Sequence, residues 1–368
     1  MGGSYDVSGL AVGAGPTWAQ VLTSLLGGVD LDSRTTEWVM DQVLTERADP
    51  AQLAGFLIAL RAKGETAGEM LGLAEGMLAH AVRIEVPGRT LDIVGTGGDQ
   101  AHTVNISTMS SIVAAAAGAT VVKHGNRASS SSSGSADVLE ALGVRLDLTP
   151  EQVQRVGERA GITFCFAQTF HPSFRHAGST RRALGVPTAF NILGPLTNPA
   201  QPRFAAVGVA DRRLAPEVAG VFAGRGKDAA VFRGDDGLDE LTLTTSSTVW
   251  WVRDGVVTEH RLGPSDVGLP TAPIEALRGG DPAHNAAVVR DLVGGKGGPV
   301  RDAVLLNAGI AVALTRLDGH TTLFGEYDDL SGLVGAGVQA AASAIDSGRA
   351  AQVLDSWVDA TQAAYGEE

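Results

Sequence analysis

From Thr17 to about Val82, apolar residues recur three and four apart, as in Trp18, Val21, Leu22 and Leu25 and again in Leu53, Phe56, Leu57 and Leu60. That period marks one face of an α-helix, and no strand-like alternation interrupts it, so this part of the chain is expected to be all-helical. After Pro87 the pattern changes. Short β-branched runs at Leu91–Val94, Thr120–Val122, Ala205–Val209 and Ala229–Phe232 alternate with longer helical stretches, which predicts an α/β sheet with helices packed on it.

Between these strands, Arg181 to Thr188 reads as helix and Asn191 to Pro199 as a proline-punctuated connection. Beyond Asp254 a polar, glycine-rich stretch precedes three helix-like segments, Ala283–Val293, Arg301–Leu314 and Leu330–Ser347. No internal repeat is visible. Residues 1–15 are rich in glycine and small side chains and lack a basic start or a continuous apolar segment. They are expected to form a disordered extension and not a signal peptide.

At 368 residues and 44% hydrophobic content the chain can bury a large core, as one large or two unequal domains. The 28 basic and 41 acidic residues leave a formal net charge of -13, which opposes nucleic acid or anionic lipid as a main partner. Any affinity for phosphate must therefore be local. The longest apolar stretch, Ile112 to Val122, is broken by Gly118 and Thr120 and falls short of the roughly 20 residues that span a bilayer. No membrane span is expected. The only cysteine, Cys165, lies in the apolar run Ile162–Phe166, so an internal disulfide and a zinc cluster are excluded. A buried strand thiol without an activating neighbour is expected there, and such cysteine usage points to the cytoplasm.

The chemistry is concentrated in Leu91-Asp92-Ile93-Val94-Gly95-Thr96-Gly97-Gly98-Asp99, then Asn105-Ile106-Ser107-Thr108 and Lys123-His124-Gly125-Asn126-Arg127. An apolar run that ends in closely spaced glycines is a strand feeding a turn, where amide hydrogens lie open to anionic oxygens. Asn105 or Ser107 opens the next helix, so the free amides of its first turn and the positive end of its dipole are expected to face that turn. Lys123 adds a full charge. The spacing matches neither a dinucleotide fingerprint nor a P-loop. Ser129 to Ser133, just before a helix start at Ser135, is either low-complexity sequence or a second anion-binding turn. Together these clusters read as a cradle for a phosphorylated substrate.

Gly95 to Asp99, Asn105 to Thr108, Lys123 to Arg127, Gly134-Ser135-Ala136-Asp137, Asn191 to Pro199 and Asp235-Asp236-Gly237-Leu238-Asp239-Glu240 closely resemble, in order, the anthranilate phosphoribosyltransferase family. The resemblance implies transfer of the 5-phosphoribosyl group from phosphoribosyl diphosphate to the amine of anthranilate, with release of diphosphate, in tryptophan biosynthesis. It implies a small all-helical domain hinged to a larger α/β domain with a central mixed sheet flanked by helices. Residues 16–86 would form the helical domain, with 178–200 returning to it, and residues 87–177 and 201–368 the domain that binds phosphoribosyl diphosphate. A homodimer through the helical domains and Mg2+, two ions per subunit, are implied as well.

The same resemblance assigns Gly95, Thr96, Gly97, Gly98, Asp99, Thr103, Asn105, Ser107, Thr108, Lys123 and Ser135 to phosphoribosyl diphosphate, and Gly95, His124, Asn126, His171 and Arg181 to anthranilate. It makes Lys123 and Arg181 the catalytic residues, gives the metal to Ser107, Asp239 and Glu240, and leaves Asp235 and Asp236 as turn residues. These residue types suit the tasks. A departing diphosphate needs its charge neutralised, magnesium prefers oxygen ligands, and a guanidinium fork matches a carboxylate. No general base is assigned, since an aniline-type nitrogen is already unprotonated at neutral pH and attack depends first on positioning. The chain departs from the family pattern at Gln100, where glycine is usual, at Gln168, where proline is common, and at the variable position of Phe174.

Other readings stay open. Phosphorolysis of a pyrimidine nucleoside on the same general fold would use a different glycine-lysine-serine loop and would not need Asp239 and Glu240. A non-catalytic nucleic-acid-binding relative would need a basic groove, which the charge balance opposes. A substituted anthranilate is a third possibility for the acceptor.

Overall fold

The computed structural model describes residues 15–128, 132–318, 321–322 and 329–366. Of the extension expected over 1–15 only Gly15 is among them, and Ser129 to Ser131 lie outside them. The N-terminal region is helical as predicted, with α1 (Trp18–Leu26), α2 (Ser33–Leu44), α3 (Pro50–Lys63) and α4 (Ala67–Ala79). Each helix starts on a side chain that accepts an amide of its first turn, from Thr17, Asp32, Asp49 and Thr66 respectively.

The rest of the chain alternates. It runs β1 (Thr90–Gly95), α5 (Ile106–Ala116), β2 (Thr120–Gly125), α6 (Ser135–Leu142), α7 (Pro150–Ala160), β3 (Ile162–Phe166), the short α8 (Ala167–Phe170) and α9 (Gly178–Leu184). It continues through β4 (Phe204–Gly208), α10 (Ala215–Gly224), β5 (Asp228–Gly234), β6 (Ser247–Arg253), β7 (Val256–Leu262), α11 (Pro282–Val293), α12 (Pro299–Thr315), α13 (Leu330–Asp346) and α14 (Arg349–Gly366). Cys165 is buried in β3 as expected, and burial raises its thiol pKa well above the usual value.

The strands form a seven-stranded sheet in the order β3-β2-β1-β4-β5-β6-β7. The first five pair in parallel, while β6 and β7 are antiparallel, so the sheet is mixed. From β1 the chain moves outward through β2 and β3, then returns to lay β4 and β5 on the other side. The strand order reverses between β1 and β4, and in such a sheet the ligand crevice opens at the carboxyl ends of those two strands. Gly95 and Gly208 face each other in register there.

Side chains alternate across the sheet with the strand period of two. Phe204 and Ala206 of β4 join the cluster that holds Ile112, Ile310 and Trp357 on one face. Ala205 and Val207 join a second cluster on the other face, which includes Val218 of α10, Val39, Phe56 and Leu73 of the helical region, and Phe190, Leu193 and Leu196 from the segment after α9.

Three elements differ from the pattern-based expectation. The helix expected over Arg181 to Thr188 ends at Leu184, where Gly185 takes the left-handed conformation at φ 62°. The chain beyond Asp254 is not a loop but the return strand of a hairpin. Asp254 and Gly255, with φ of 50° and 76°, make its two-residue turn, and Asp-Gly is the dipeptide that favours such a turn. Strand β7 lies at the sheet edge and is largely exposed, so it lacks apolar alternation. Helix α14 likewise lies outside the expected elements. Its buried positions, Ala350, Leu354, Trp357, Thr361 and Ala364, follow helical spacing, but several are small or polar.

Candidate active site

The backbone leaves β1 at Gly95 and is pinned across the crevice. The Thr96 amide donates to the Gly208 carbonyl at 2.9 Å, and the Ala210 amide donates to Thr96 Oγ1 at 3.1 Å. Gly97 and Gly98 have φ of 69° and 89°, which only glycine adopts without a Cβ penalty. Gln100 also lies in the left-handed region, at φ 58°, so a side-chain-bearing residue occupies a conformation suited to the glycine usual there.

The loop after β5 carries Asp239 and Glu240 into this crevice, and both are buried. The Gly97 amide donates to Asp239 Oδ2 at 2.6 Å. The backbone of Ser107, in the first turn of α5, donates to the Glu240 carboxylate. The amides expected to be free are therefore engaged by acidic oxygens. Each carboxyl group stands where an anionic ligand oxygen is expected. Burial, and then the Asp99 carboxylate, push Asp239 up to about 8. Burial and the Asp239 charge raise Glu240 well above the usual carboxyl range, with Lys123 opposing.

A set of crowded carboxylates with only oxygen donors fits a hard divalent cation such as Mg2+. Among the described residues no three histidine, cysteine or acidic side chains are arranged to hold a metal by themselves. Magnesium has no need of such a cage, since it commonly takes one or two carboxylates and completes its shell with water and substrate phosphate. Asn307 of α12 fixes the loop from behind. Its Oδ1 accepts the Leu241 amide at 2.9 Å, and its Nδ2 donates to the Leu241 carbonyl at 2.9 Å. Asp236 accepts from the Leu238 amide and the Thr242 hydroxyl, and Asp235 pairs with Arg261, so these two build the turn as expected.

Lys123 lies beneath the glycine turn and is 1% exposed. Its Nζ donates to the Ile93 carbonyl and, at 3.3 Å, to Ser107 Oγ. Burial lowers its pKa while Asp92 and Glu240 hold the charge in place. Asp92 in turn accepts the His124 amide at 3.1 Å and Asn198 Nδ2 at 2.9 Å. Burial pushes Asp92 up to about 6. Neither Asp92 nor Asn198 was assigned a role from sequence.

Asn105 opens α5 but does not cap it. Its Nδ2 donates to the Ser133 carbonyl at 3.0 Å, and its Oδ1 accepts from Asn285 at 2.8 Å, which ties the serine-rich loop to α11. Thr103 pairs with Arg278 in an isolated bridge, and Thr108 Oγ1 is buried without a hydrogen-bond partner. Asn126 is exposed just past β2, where its carbonyl accepts the Ala136 amide at 3.2 Å. Ser135 sits beside Gly125, its Cβ 3.4 Å from where a Cβ on that glycine would lie.

The structure brings His124 and His171 together, with ring centroids 5.2 Å apart. His124 Nδ1 lies 2.9 Å from the Gly194 carbonyl, and His171 Nε2 lies 2.9 Å from the Thr197 carbonyl. A carbonyl only accepts, so these two nitrogens carry the protons. His124 Nε2 and His171 Nδ1 are left as buried lone pairs without a partner. Burial depresses the two imidazoles to about 3 and about 4, so both are neutral at pH 7. Arg181, on α9, lies over the Phe174 ring at 5.2 Å, and Phe174 packs on Phe190 with centroids 5.4 Å apart. Burial alone lowers the Arg181 pKa.

A helical bundle beside a mixed sheet, with a glycine turn and paired carboxylates at the switch point, is the architecture of a two-domain glycosyltransferase. Residues 87–351 match the glycosyl transferase family a/b domain, and residues 19–81 match the helical bundle domain of that family. The chain is 58% identical over 352 residues to an anthranilate phosphoribosyltransferase of Arthrobacter sp., covering 96% of this chain and 98% of that relative. It is 59% identical over 350 residues to one of Streptomyces griseus, covering 95% and 97%. Among solved structures, the anthranilate phosphoribosyltransferase of Thermus thermophilus superimposes with a TM-score of 0.83 at 38% identity, covering 93% of this chain and 99% of that one. The Saccharomyces cerevisiae enzyme in complex with PRPP and Mg does so with a TM-score of 0.83 at 28% identity, covering 94% and 98%. The chain belongs to the anthranilate phosphoribosyltransferase family.

Proposed function

We propose that the chain transfers the 5-phosphoribosyl group of phosphoribosyl diphosphate to the amine of anthranilate, giving N-(5-phosphoribosyl)anthranilate and diphosphate. This is the second step from chorismate to tryptophan. The observation that carries this reading is the meeting of the Gly95–Gly98 turn, the first turn of α5, buried Lys123 and the pair Asp239 and Glu240 at one switch point. The yeast relative bound to PRPP and Mg, and another structure of it with 4-fluoroanthranilate, support the assignment of donor, ion and acceptor.

In this reading Gly95, Thr96, Gly97, Gly98, Asp99 and Thr103 wrap the donor, with Asn105, Ser107, Thr108 and Ser135 supplying further polar contacts. The Gly97 amide already holds a carboxyl oxygen, and Thr108 Oγ1 has its hydrogen-bonding capacity unspent. Lys123 orients Ser107 from below and sets a positive potential under the departing diphosphate. Asp239, Glu240 and Ser107 would hold Mg2+, two ions per subunit, and the ion when bound supplies neutralisation of the leaving group's charge.

Anthranilate is placed against Gly95, Asn126, His124 and His171, with its carboxylate on the Arg181 fork. The neutral histidines offer lone pairs at His124 Nε2 and His171 Nδ1 to an amine hydrogen, so they orient the nucleophile without removing a proton in advance. The ribosyl carbon becomes oxocarbenium-like as the C1–O bond breaks, and attack then completes the displacement. Residues 16–86 with 178–200 are taken as one unit hinged to residues 87–177 and 201–368. The enzyme is taken as a cytoplasmic homodimer that associates through its helical units.

Purified protein with Mg2+ and phosphoribosyl diphosphate should consume anthranilate, followed by loss of anthranilate fluorescence. Unchanged fluorescence at micromolar enzyme would remove this reading. Phosphate-dependent cleavage of thymidine would favour the phosphorolytic one.

A further inference from the structure

A cavity of about 190 Å³ lies on the side of the sheet that faces the helical region, and none of the residues given to either substrate lines it. Arg225, Lys227, Asn198 and Gln201 contribute polar groups, and Leu78 and Phe222 contribute apolar wall. Arg225 Nε donates to Glu75 Oε1 at 2.7 Å and Nη1 to the Leu196 carbonyl at 2.7 Å, while Nη2 is buried without a partner. Lys227 Nζ donates to the Gln201 carbonyl at 2.9 Å.

The charge is unbalanced. Burial and the charges of Arg203 and Arg225 lower the Lys227 pKa. Burial lowers that of Arg225, Glu75 opposes, and Arg83 adds a further repulsion. Glu75 matches one of these cations and Asp228 takes Arg203 at 2.8 Å. The remaining carboxyl at the cavity, Asp92, is turned to the His124 amide and Asn198 and is balanced by the buried charge of Lys123, which leaves Lys227 without a carboxylate of its own. An unmade guanidinium hydrogen bond and surplus positive charge around a cavity call for an anion.

We propose that this cavity binds a small organic carboxylate, with its oxygens on Arg225 Nη2 and Lys227 Nζ and its apolar body against Leu78 and Phe222. An apolar cavity of roughly 150 Å³ accepts benzene, so a single ring with a carboxylate is of the right size. The site is also wired to the histidine pair. The strip from Gly194 to Asn198 presents its carbonyls to His124 from Gly194, to Arg225 from Leu196 and to His171 from Thr197. Carboxylate binding stands apart from the function proposed above, and only an effect on the acceptor would rest on it.

Benzoate is the probe, titrated calorimetrically into the full-length Arg181→Ala protein so that the proposed acceptor pocket binds it more weakly, by about tenfold or more. One equivalent should bind, more tightly than acetate, and the His171 ring proton resonances should move. Adding Lys227→Met should weaken binding by about tenfold or more, the loss of a charge-assisted hydrogen bond. Arg225→Gln should do the same, and Lys227→Met keeps the test intact if loss of the Arg225 contacts prevents folding. No benzoate binding to Arg181→Ala, acetate binding as tightly as benzoate, or affinity unchanged by Lys227→Met would each overturn the proposal.

Discussion

Gly208 and Asp239 are packed so closely that a Cβ on Gly208 would lie 1.6 Å from the Asp239 carbonyl oxygen. The carboxylate loop is therefore seated directly on the end of β4, and the absence of a side chain there sets the depth at which Asp239 enters the crevice. Gly208→Ala should displace the loop, at a cost of about 1–3 kcal/mol in stability from overpacking. Mg2+-dependent turnover should fall by at least about tenfold, read as kcat/KM over a magnesium titration.

Burial and the Asp99 carboxylate keep Asp239 protonated up to about pH 8 in the folded, metal-free protein, whereas the unfolded chain releases that proton near the ordinary carboxyl value of 3.8. The folded state then binds more protons across that window, so this contribution to stability is present below it and lost as the pH rises through it. In EDTA, Asp239→Asn should be more stable than the parent at pH 8 by about 2–5 kcal/mol and equal to it near pH 4, by urea denaturation. The same substitution should weaken Mg2+ and donor use.

His124 and His171 shift in the opposite sense. Their folded values of about 3 and about 4 lie below the ordinary imidazole value of 6.5, so their contribution to stability is present above pH 6.5 and declines as the pH falls toward 4. Imidazole NMR signals of these two residues should not titrate between pH 8 and pH 5. Either ring titrating near 6.5 would show that it is open to water.

Arg181→Ala should raise the apparent KM for anthranilate about tenfold or more and leave that for phosphoribosyl diphosphate within about twofold, because a carboxylate loses its fork. Arg182, exposed on the same helix, should tolerate alanine in both assays. An effect confined to the donor would move the acceptor site elsewhere.

Gln100→Gly should raise the melting temperature slightly. It relieves a left-handed side-chain-bearing residue worth roughly 1–2 kcal/mol, partly offset by the greater entropy of glycine in the unfolded chain.

The helical period of Trp18 to Leu60 and the strand-turn-helix run from Leu91 to Thr108 were legible because one side of each element is uniformly apolar. Strand β7 was not, since consecutive residues on both of its faces are exposed and no apolar alternation is required, although Asp254-Gly255 marked its turn. Asp99, Asp239 and Glu240 could be grouped only through resemblance, because a loop from β5 brings them together over a long sequence separation. Asn307 carries a signal of its own. A lone amide in the apolar run Ala303–Leu314 has to be satisfied by something, and here it is satisfied by the backbone beside the carboxylates. The engagement of Gly97 and Ser107 by those carboxylates has no counterpart in local sequence, because it depends on where the loop after β5 lands.

The apolar cluster that runs from Val39 and Phe56 through Leu193 to Val207 and Val218 has no seam at the point where the helices meet the sheet. A gene cut in the linker before β1 would release two fragments, each with a greasy face and nothing to cover it. Co-expressed, the pieces should reassemble into an active enzyme; made singly, both should aggregate.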